Sequence, residues 1–504
     1  MPLADDAVIA VRAHDTFTSH TPELGMPTTL RTGSGERAFH PGPLEFWGLA
    51  LPERAFGLRP VGMLVGVAGV NIAAIVAAAL IVRRRAGTVA AVGALAVLAW
   101  LAWSLGRSVV ASPWNPHILL LPLACTFLAV WGAANGDTAA LIVAIVSGSF
   151  VAQAHALYLV FVGVLVAFGA VAFILARRQS RAPLRTPLLA AGVAGVALWS
   201  GPIVDQLTHR PGNLVLLERA ARHQDPAIGW GGAITILVRA IGAPPFWAHG
   251  IANDAFVRRR GHGIAVLSVL GVAVLFALLV GGLAWAVLRR DGVVGGLVAT
   301  ALVALALALF TLARVPDQFP EPPRYRFLMV WPLGALLWFA AALVIVRVLH
   351  IPRDTLAIGA LALMALIVAS AGRVAGGGNV SIENPRDIAT VRHLSAAVVP
   401  KLQHRVYVVE STGATTFLTM RFGLLAELRR RGVDARVEPG DFYLSPWHAG
   451  NVRTDPVLVV ADEAGYHPPT GATRLASYTP PRPPKPVDAA TGVHFAVYLV
   501  PPPS

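Results

Sequence analysis

The chain has 504 residues, of which 55% are hydrophobic and 13% are charged, and its mean hydropathy is +0.63. This composition excludes a water-soluble globular protein and indicates a membrane protein with several spans. The net charge of +14 comes almost entirely from arginine, since Lys401 and Lys485 are the only lysines. The basic residues are dispersed along the chain, which argues against nucleic-acid binding. The single cysteine, Cys125, lies in an apolar run, which excludes an intrachain disulfide and disfavours redox chemistry.

Windows of about 20 apolar residues predict about ten membrane spans. They cover residues 61–82, 87–106, 117–135, 138–153, 156–176, 187–204, 264–288, 292–313, 327–348 and 355–372. Arginine is concentrated on alternate connections, which the positive-inside rule places in the cytoplasm. These connections are 83–85, 177–185, 289–291 and the pair Arg347 with Arg353. The opposite, extracytoplasmic side then receives residues 1–60, the loop "SPWNPH", the loop 205–262, the segment 315–326 and everything after Gly372.

The polar segment 1–60 comes before the first apolar run. An extracytoplasmic segment of this length has to cross the bilayer, and a preceding hydrophobic segment is the usual means. We therefore expect a first transmembrane helix encoded upstream of Met1, lost through a late start codon or a truncation. With that helix, the protein would have about eleven spans and a cytoplasmic N-terminus.

Residues 373–504 predict a water-soluble α/β domain, separate from the loop 1–60 with its juxtamembrane helices and from the transmembrane core 61–372. Helices are expected at 386–402 and 416–432, and strands at 405–410, 434–438, 456–462 and 492–500. No G-x-G-x-x-G loop follows any of these strands, so a nucleotide site is not expected. Substrate capping, acceptor binding or structural support remain open as roles for this domain.

Polar residues placed against a membrane are costly and usually functional. Asp5 and Asp6 could hold a divalent cation such as Mg²⁺, Mn²⁺ or Ca²⁺ against a phosphate, or one of them could deprotonate an acceptor hydroxyl. A solvated acidic turn is the alternative. If residues 5–19 form an amphipathic helix in the membrane interface, Asp15 lies mostly on its wet face, where it is a candidate substrate contact.

The stretch "HPGPLEFW" fixes His40 at a defined depth, because two prolines flank a glycine and an aromatic pair follows at headgroup level. His40 could contact a phosphate or a sugar hydroxyl, or it could be structural.

Further candidate substrate contacts lie at the predicted extracytoplasmic ends of spans. Gln153, His155 and Tyr158 share one junction, and His117 occupies another. Interfacial anchoring is the alternative for such residues. Asp205 begins the 205–262 loop, which could act as a lid; there it could bind sugar hydroxyls or simply cap a helix.

The triplet "RYR", comprising Arg324, Tyr325 and Arg326, stands at the mouth of a span on the same side. Guanidinium groups match phosphate oxygens, so these residues are candidates for a donor phosphate. Snorkelling of the arginines to lipid headgroups is the alternative.

Several of these stretches together resemble actinobacterial integral-membrane glycosyltransferases of the GT-C superfamily, a group similar to polyprenyl-phosphate-sugar-dependent mannosyl- and arabinosyltransferases. They are "ADDAVIAVRAHDTFTSHTPELGMPTT", "FHPGPLEFWGLALPERAFG", "GSFVAQAHALYL", "GPIVDQLTHRPGNLVLL" and "RYRFLMVWPLGALLW". The resemblance covers most of residues 1–372, and the C-terminal domain matches only by position.

The resemblance implies an α-helical, GT-C-like enzyme of the bacterial plasma membrane with its active site and C-terminal domain outside the cytoplasm. Such an enzyme is an inverting hexosyl- or pentosyltransferase that takes a sugar from a polyprenyl-phosphate donor to a glycan, lipid or protein of the cell envelope or cell wall. Asp5 or Asp6 would be the general base or a metal ligand. The expected absence of the first helix is the departure from the family pattern.

Two other classes of protein remain open. A lipid-linked saccharide transporter or flippase would place charges or broken helices at the bilayer midplane, but these spans are nearly uncharged. A non-catalytic envelope-assembly protein would work through its C-terminal domain and would not need polar clusters on the first loop.

Overall fold

The computed structural model describes residues 2–503 except for 223–225, 244, 246–263, 318–323, 353–354, 360, 363, 366–367, 369–384, 414–415, 417, 442, 445 and 482–493. The helices before the C-terminal domain are α1 (Ala4–Asp15), α2 (Leu44–Ala55), α3 (Pro60–Ala86), α4 (Thr88–Leu105), α5 (Arg107–Val110), α6 (Asn115–Ile118), α7 (Leu120–Ala134), α8 (Thr138–Ala154), α9 (Tyr158–Gln179), α10 (Arg185–Leu198), α11 (Ser200–Thr208), α12 (Asn213–Ala221), α13 (Gly229–Ile241), α14 (Val266–Arg289), α15 (Gly292–Leu312) and α16 (Val330–Val348). Strands β1 (Pro27–Arg31) and β2 (Arg37–Phe39) form an antiparallel hairpin between α1 and α2.

Hydropathy located the membrane-crossing helices well. Seven helices of the described chain are long and apolar enough to span a bilayer, and the bent pair α10 and α11 makes an eighth candidate. The predicted span 138–153 is the shorter helix α8, of 17 residues. The predicted span 355–372 lies largely outside the described residues.

The break between α10 and α11 has a local cause. Pro202 has no N–H to donate to the carbonyl of Leu198, four residues earlier, and the two helices meet at 57°. The side-chain amide of Gln153 donates to that carbonyl instead, over 2.9 Å. Gln153, a predicted site residue, therefore satisfies the carbonyl that the helix break leaves without an N–H donor.

The transmembrane core is built around α7. In its span, 89% of the most apolar window is buried, against 78% in the span that contains α16. The loop expected over 205–262 is partly wrong, because residues 229–241 form the apolar helix α13. This helix packs into the same core, and Trp338 donates its indole N–H to the carbonyl of Ile241 over 3.0 Å. The possible lid was expected from residues 207–223, which α13 does not include, so it stays a prediction.

The C-terminal domain is an α/β layer, as predicted. It contains α17 (Pro385–Val398), α18 (Thr419–Arg430), β3 (Tyr407–Thr412), β4 (Ala435–Arg436), β5 (Val457–Asp462), β6 (Thr473–Tyr478) and β7 (Phe495–Val500). The sheet order is β4-β3-β5-β7-β6, with β3 parallel to β4 and β5, and β7 antiparallel to β5 and β6. Gly432 ends α18 with a φ of +80°, which favours glycine.

Helices α1 and α2 share one hydrophobic core with the C-terminal domain. Ala7, Val8 and Val11 of α1 are buried in the same cluster as Leu425 and Leu428 of α18. The expectation that α1 rides in the membrane interface is therefore wrong: α18 covers its apolar face.

The predicted wet face of α1 is wrong for the same reason. Asp15 is 3% exposed, and its carboxylate faces His448 Nε2 at 2.8 Å and Arg429 Nη2 at 3.5 Å. Beside this contact, His20 stacks on Trp447 with ring centroids 4.1 Å apart. Polar and aromatic contacts thus extend the attachment of the C-terminal domain to the first 60 residues.

Candidate active site

The acidic pair lies where α1 begins. Asp5 and Asp6 occupy the first turn of α1, where the helix dipole favours negative charge. Trp114 donates its indole N–H to Asp5 Oδ2 over 2.9 Å, which joins α1 to the loop before α6. Burial raises the pKa of Asp5, and the Trp114 hydrogen bond opposes that rise. Burial and then the charge of Asp5 raise the pKa of Asp6 to about 7, so Asp6 is poised to exchange a proton near neutral pH.

A third carboxyl, not singled out from the sequence, faces this pair. Glu45 lies in the first turn of α2 and is 1% exposed. Its pKa is raised well above the ordinary value, first by burial and then by Asp6 and Asp5. Burial and the adjacent carboxyls therefore both favour the protonated form of Glu45. A glutamate at the start of an amphipathic helix is unremarkable in sequence, so only the fold identifies it.

Aromatic rings connect the acidic pair to the ends of three further segments. The Trp114 ring lies edge-on to His117 and Tyr325, with centroids 4.8 and 5.1 Å away. Tyr325 in turn lies 6.1 Å from His155, and His155 lies 5.8 Å from Tyr158. Residues far apart in sequence thus form one continuous wall, as their predicted position on one side of the membrane requires.

His40 joins this wall as a neutral imidazole. Its ring centroid is 4.6 Å from that of His155, and its Nδ1 accepts the backbone N–H of Ala156 over 2.9 Å. Burial lowers the pKa of His40 well below its ordinary value, and burial followed by the charge of Arg326 lowers the pKa of His155 to about 3. Both imidazoles can form hydrogen bonds with a ligand, but neither contributes positive charge.

Positive charge in the wall comes from the two arginines of "RYR". Arg326 is 8% exposed, and its guanidinium carbon lies 5.8 Å from the centre of the Tyr325 ring. Arg324 is half-buried in the same short 3-10 helix, Arg324–Phe327. A buried guanidinium beside neutral imidazoles suits the binding of an anion.

Several buried polar atoms around the wall have no hydrogen-bond partner within the described part of the chain. They are Glu45 Oε1, His117 Nδ1, Tyr158 Oη and Arg326 Nη1. Buried polar groups are nearly always paired with protein, water or ligand. Their position at the ends of the helices, on the same side as Asp5 and Asp6, makes this place a candidate ligand site.

Three predicted contacts lie elsewhere or are already engaged. The Asp15 carboxylate joins α1 to the C-terminal domain, and the Gln153 amide donates to the Leu198 carbonyl. Asp205 Oδ2 accepts the backbone N–H of Asn213 over 2.7 Å, so it caps the start of α12. These geometries favour positioning roles, and direct substrate contact by the three residues stays a prediction.

No protein-family model matches the sequence, and no curated protein matches it. Among solved structures, the chain is similar to the crystal structure of ArnT from Cupriavidus metallidurans bound to undecaprenyl phosphate, with a TM-score of 0.52. The two sequences are 14% identical over 99% of this chain and 94% of that chain. The apo state of the same ArnT aligns with a TM-score of 0.43 and 14% identity over 98% and 94% of the two chains. The likeness to the lipid-bound structure shows the fold: this chain is a multi-pass, GT-C-like membrane protein with a C-terminal sheet domain.

Proposed function

We propose that the protein is an inverting membrane glycosyltransferase, which moves a sugar from a polyprenyl-phosphate donor to an acceptor of the bacterial cell envelope. The observation that carries the proposal is the acidic pair held by Trp114 next to buried, unpartnered polar atoms that include a guanidinium nitrogen of Arg326. The fold adds support, since ArnT, with a similar fold, was crystallised with undecaprenyl phosphate.

In this mechanism the acceptor oxygen attacks the anomeric carbon as the bond from that carbon to the donor phosphate oxygen breaks. The acceptor hydroxyl loses its proton to Asp5 or Asp6, and the polyprenyl phosphate leaves with the bonding electron pair. A base works best when its pKa lies near the ambient pH, and the pKa of about 7 for Asp6 meets that condition. Burial and the charges of Asp6 and Asp5 favour the protonated form of Glu45, which would limit the negative charge in the site.

The leaving phosphate needs positive charge and hydrogen-bond donors. Arg326 and Arg324 supply the charge, while the neutral rings of His155 and His117 and the hydroxyl of Tyr158 supply hydrogen-bonding groups. Tyr325 lies between His155 and Trp114, so it links these groups to the acidic pair.

A divalent cation at Asp5 and Asp6 is part of the proposal. Burial is the main cause of their raised pKa values, and a dication bound beside them would favour the ionised carboxylates. Asp5 and Asp6 would supply two of the oxygen ligands that Mg²⁺ or Mn²⁺ prefers. When bound, the cation would neutralise charge on the donor phosphate.

The arrangement of the loops supports an extracytoplasmic site in the plasma membrane. Arg84 and Arg85, on one arginine-rich connection, pair with Asp137 at 3.0 and 3.4 Å. Residues 1–60, Trp114, Tyr325 and the C-terminal domain gather at the other ends of the helices. The positive-inside rule assigns the first group to the cytoplasm and the second to the outside.

The test is label transfer from radiolabelled polyprenyl-phosphate sugars to a cell-envelope extract, using purified protein in nanodiscs. We expect transfer by the wild type, loss of transfer in Asp5→Asn/Asp6→Asn, and retained donor binding in that variant. Asp434→Asn is the matched control, because Asp434 is 52% exposed on the C-terminal domain. Donor that binds but is never consumed by the wild type would overturn the proposal in favour of transport or assembly.

A further inference from the structure

A second group of metal-ligating side chains lies outside the candidate active site. Glu23, Asp205 and His209 each offer a ligand atom, and these atoms lie within 4.8 Å of one another. Asp205 and His209 stand one helical turn apart at the end of α11, where Asp205 Oδ1 is 3.4 Å from His209 Nδ1. Glu23 reaches them from the loop between α1 and β1. Within the described ranges, this is the one set of three such residues with metal-binding spacing.

We propose that Glu23, Asp205 and His209 bind a divalent transition-metal ion of the zinc type. One imidazole and two carboxylates are ligands that Zn²⁺ accepts in tetrahedral sites, with water in the fourth position. The imidazole disfavours Ca²⁺ and Mg²⁺, which prefer oxygen ligands.

Hydrogen bonds connect the residues of this site to the backbone of Phe39 and His40. Asp205 Oδ2 accepts the Asn213 N–H, and the Asn213 side chain is bonded to both backbone groups of Phe39, over 2.7 and 3.0 Å. Near Glu23, the backbone N–H of Gly25 donates to the His40 carbonyl over 3.1 Å.

A metal ion here would therefore link the loop that carries Glu23 to the end of α11. The first is hydrogen-bonded to His40 through Gly25, and the second is connected to Phe39 through Asn213. The bound metal would fix the position of the turn that contains His40, and its site is separate from the acidic pair. Only its effect on transfer rests on the proposed function, and the binding of metal does not.

The test measures metal binding by the full chain in detergent, after removal of any affinity tag and of metal with a chelator. Calorimetry with Zn²⁺ gives the stoichiometry and Kd, and the visible spectrum with Co²⁺ reports tetrahedral coordination. The variants are His209→Ala and Glu23→Gln. The matched controls are His350→Ala and Glu218→Gln, since His350 and Glu218 are exposed residues outside the set.

In the Asp5→Asn/Asp6→Asn background, which removes the other proposed cation site, we expect one bound Zn²⁺ per chain and a tetrahedral Co²⁺ spectrum. The Kd should be weakened by about tenfold or more in His209→Ala and Glu23→Gln but not in the controls. Binding that survives both variants, an octahedral spectrum, or no saturable binding would each overturn the proposal and leave an ordinary ion-pair cluster. Metal binding that follows the expected pattern in a protein without transferase activity would confirm the metal site and refute only the proposed function.

Discussion

Replacing Asp6 by Asn is expected to stabilise the protein while abolishing transfer. Burial and the neighbouring Asp5 raise the pKa of Asp6 from 3.8 to about 7 in the folded chain. Below pH 3.8 the carboxyl is protonated in both the folded and unfolded states, so it does not affect stability there. Between the two pKa values only the unfolded chain loses the proton, and folding stability therefore falls as the pH rises.

The size of the effect follows from the gap between these pKa values. Each pH unit in that interval costs about 1.4 kcal/mol, so the gap between 3.8 and about 7 amounts to about 4 kcal/mol once the pH exceeds the folded pKa. The amide of Asp6→Asn carries no charge and avoids this cost. The variant should therefore be more stable than the wild type at about pH 8, and the advantage should shrink by more than half at about pH 5.

The assay is thermal or chemical unfolding of both proteins in the same detergent across this pH range. Asp434→Asn is the control of opposite sign, because Arg436 lowers the pKa of Asp434 and removal of that carboxylate brings no gain at high pH. An advantage of Asp6→Asn that stays constant with pH, or a loss of stability at every pH, would refute the assignment of Asp6 as a desolvated carboxyl.

Three further changes probe the groups around the acidic pair. Trp114→Phe removes the hydrogen bond to Asp5, so kcat should fall about tenfold and the pH–rate profile should move to higher pH, as measured by label transfer. Arg326→Lys keeps the charge but loses the planar fork, so the KM for the donor should rise more than kcat falls, as measured by initial rates. Asp15→Asn breaks a buried ion pair with Arg429, so the free energy of unfolding should fall by about 3 kcal/mol.

Each of these expectations has an outcome that contradicts it. An unchanged pH–rate profile in the Trp114 variant would show that the indole does not affect the pKa of the catalytic base. A fall in kcat with no change in the KM for the donor in the Arg326 variant would place that side chain away from donor binding. An Asp15 variant with wild-type stability would show that the shared core alone attaches the C-terminal domain.

Much of the fold could be predicted because long apolar runs have few alternatives to a transmembrane helix. The sequence analysis failed where a segment's partner decides its structure. The helix α13 is apolar but too short to read as a span, and its burial depends on packing against α14, α15 and α16. The strand β6 exposes half of its residues at the sheet edge, so its sequence lacks an apolar alternation.

The site was predictable in part for a similar reason. Asp5, His155 and Tyr325 could be assigned to one side of the membrane by the arginine pattern, and the structure joins their segments through Trp114. Trp114 was not singled out from the sequence, because its hydrogen-bond partner Asp5 lies 109 residues away. Glu45 was missed, since its neighbours are distant in sequence as well.

The core shared by α1 and the C-terminal domain has a consequence for biogenesis. The ribosome makes Asp5 and Asp6 early, but the α18 residues that cover α1 emerge only after the described spans have been synthesised and the domain has reached the same side of the membrane. Contacts of such high sequence separation form late, because loop closure opposes them. The acidic pair should therefore reach its final surroundings in one of the last folding steps.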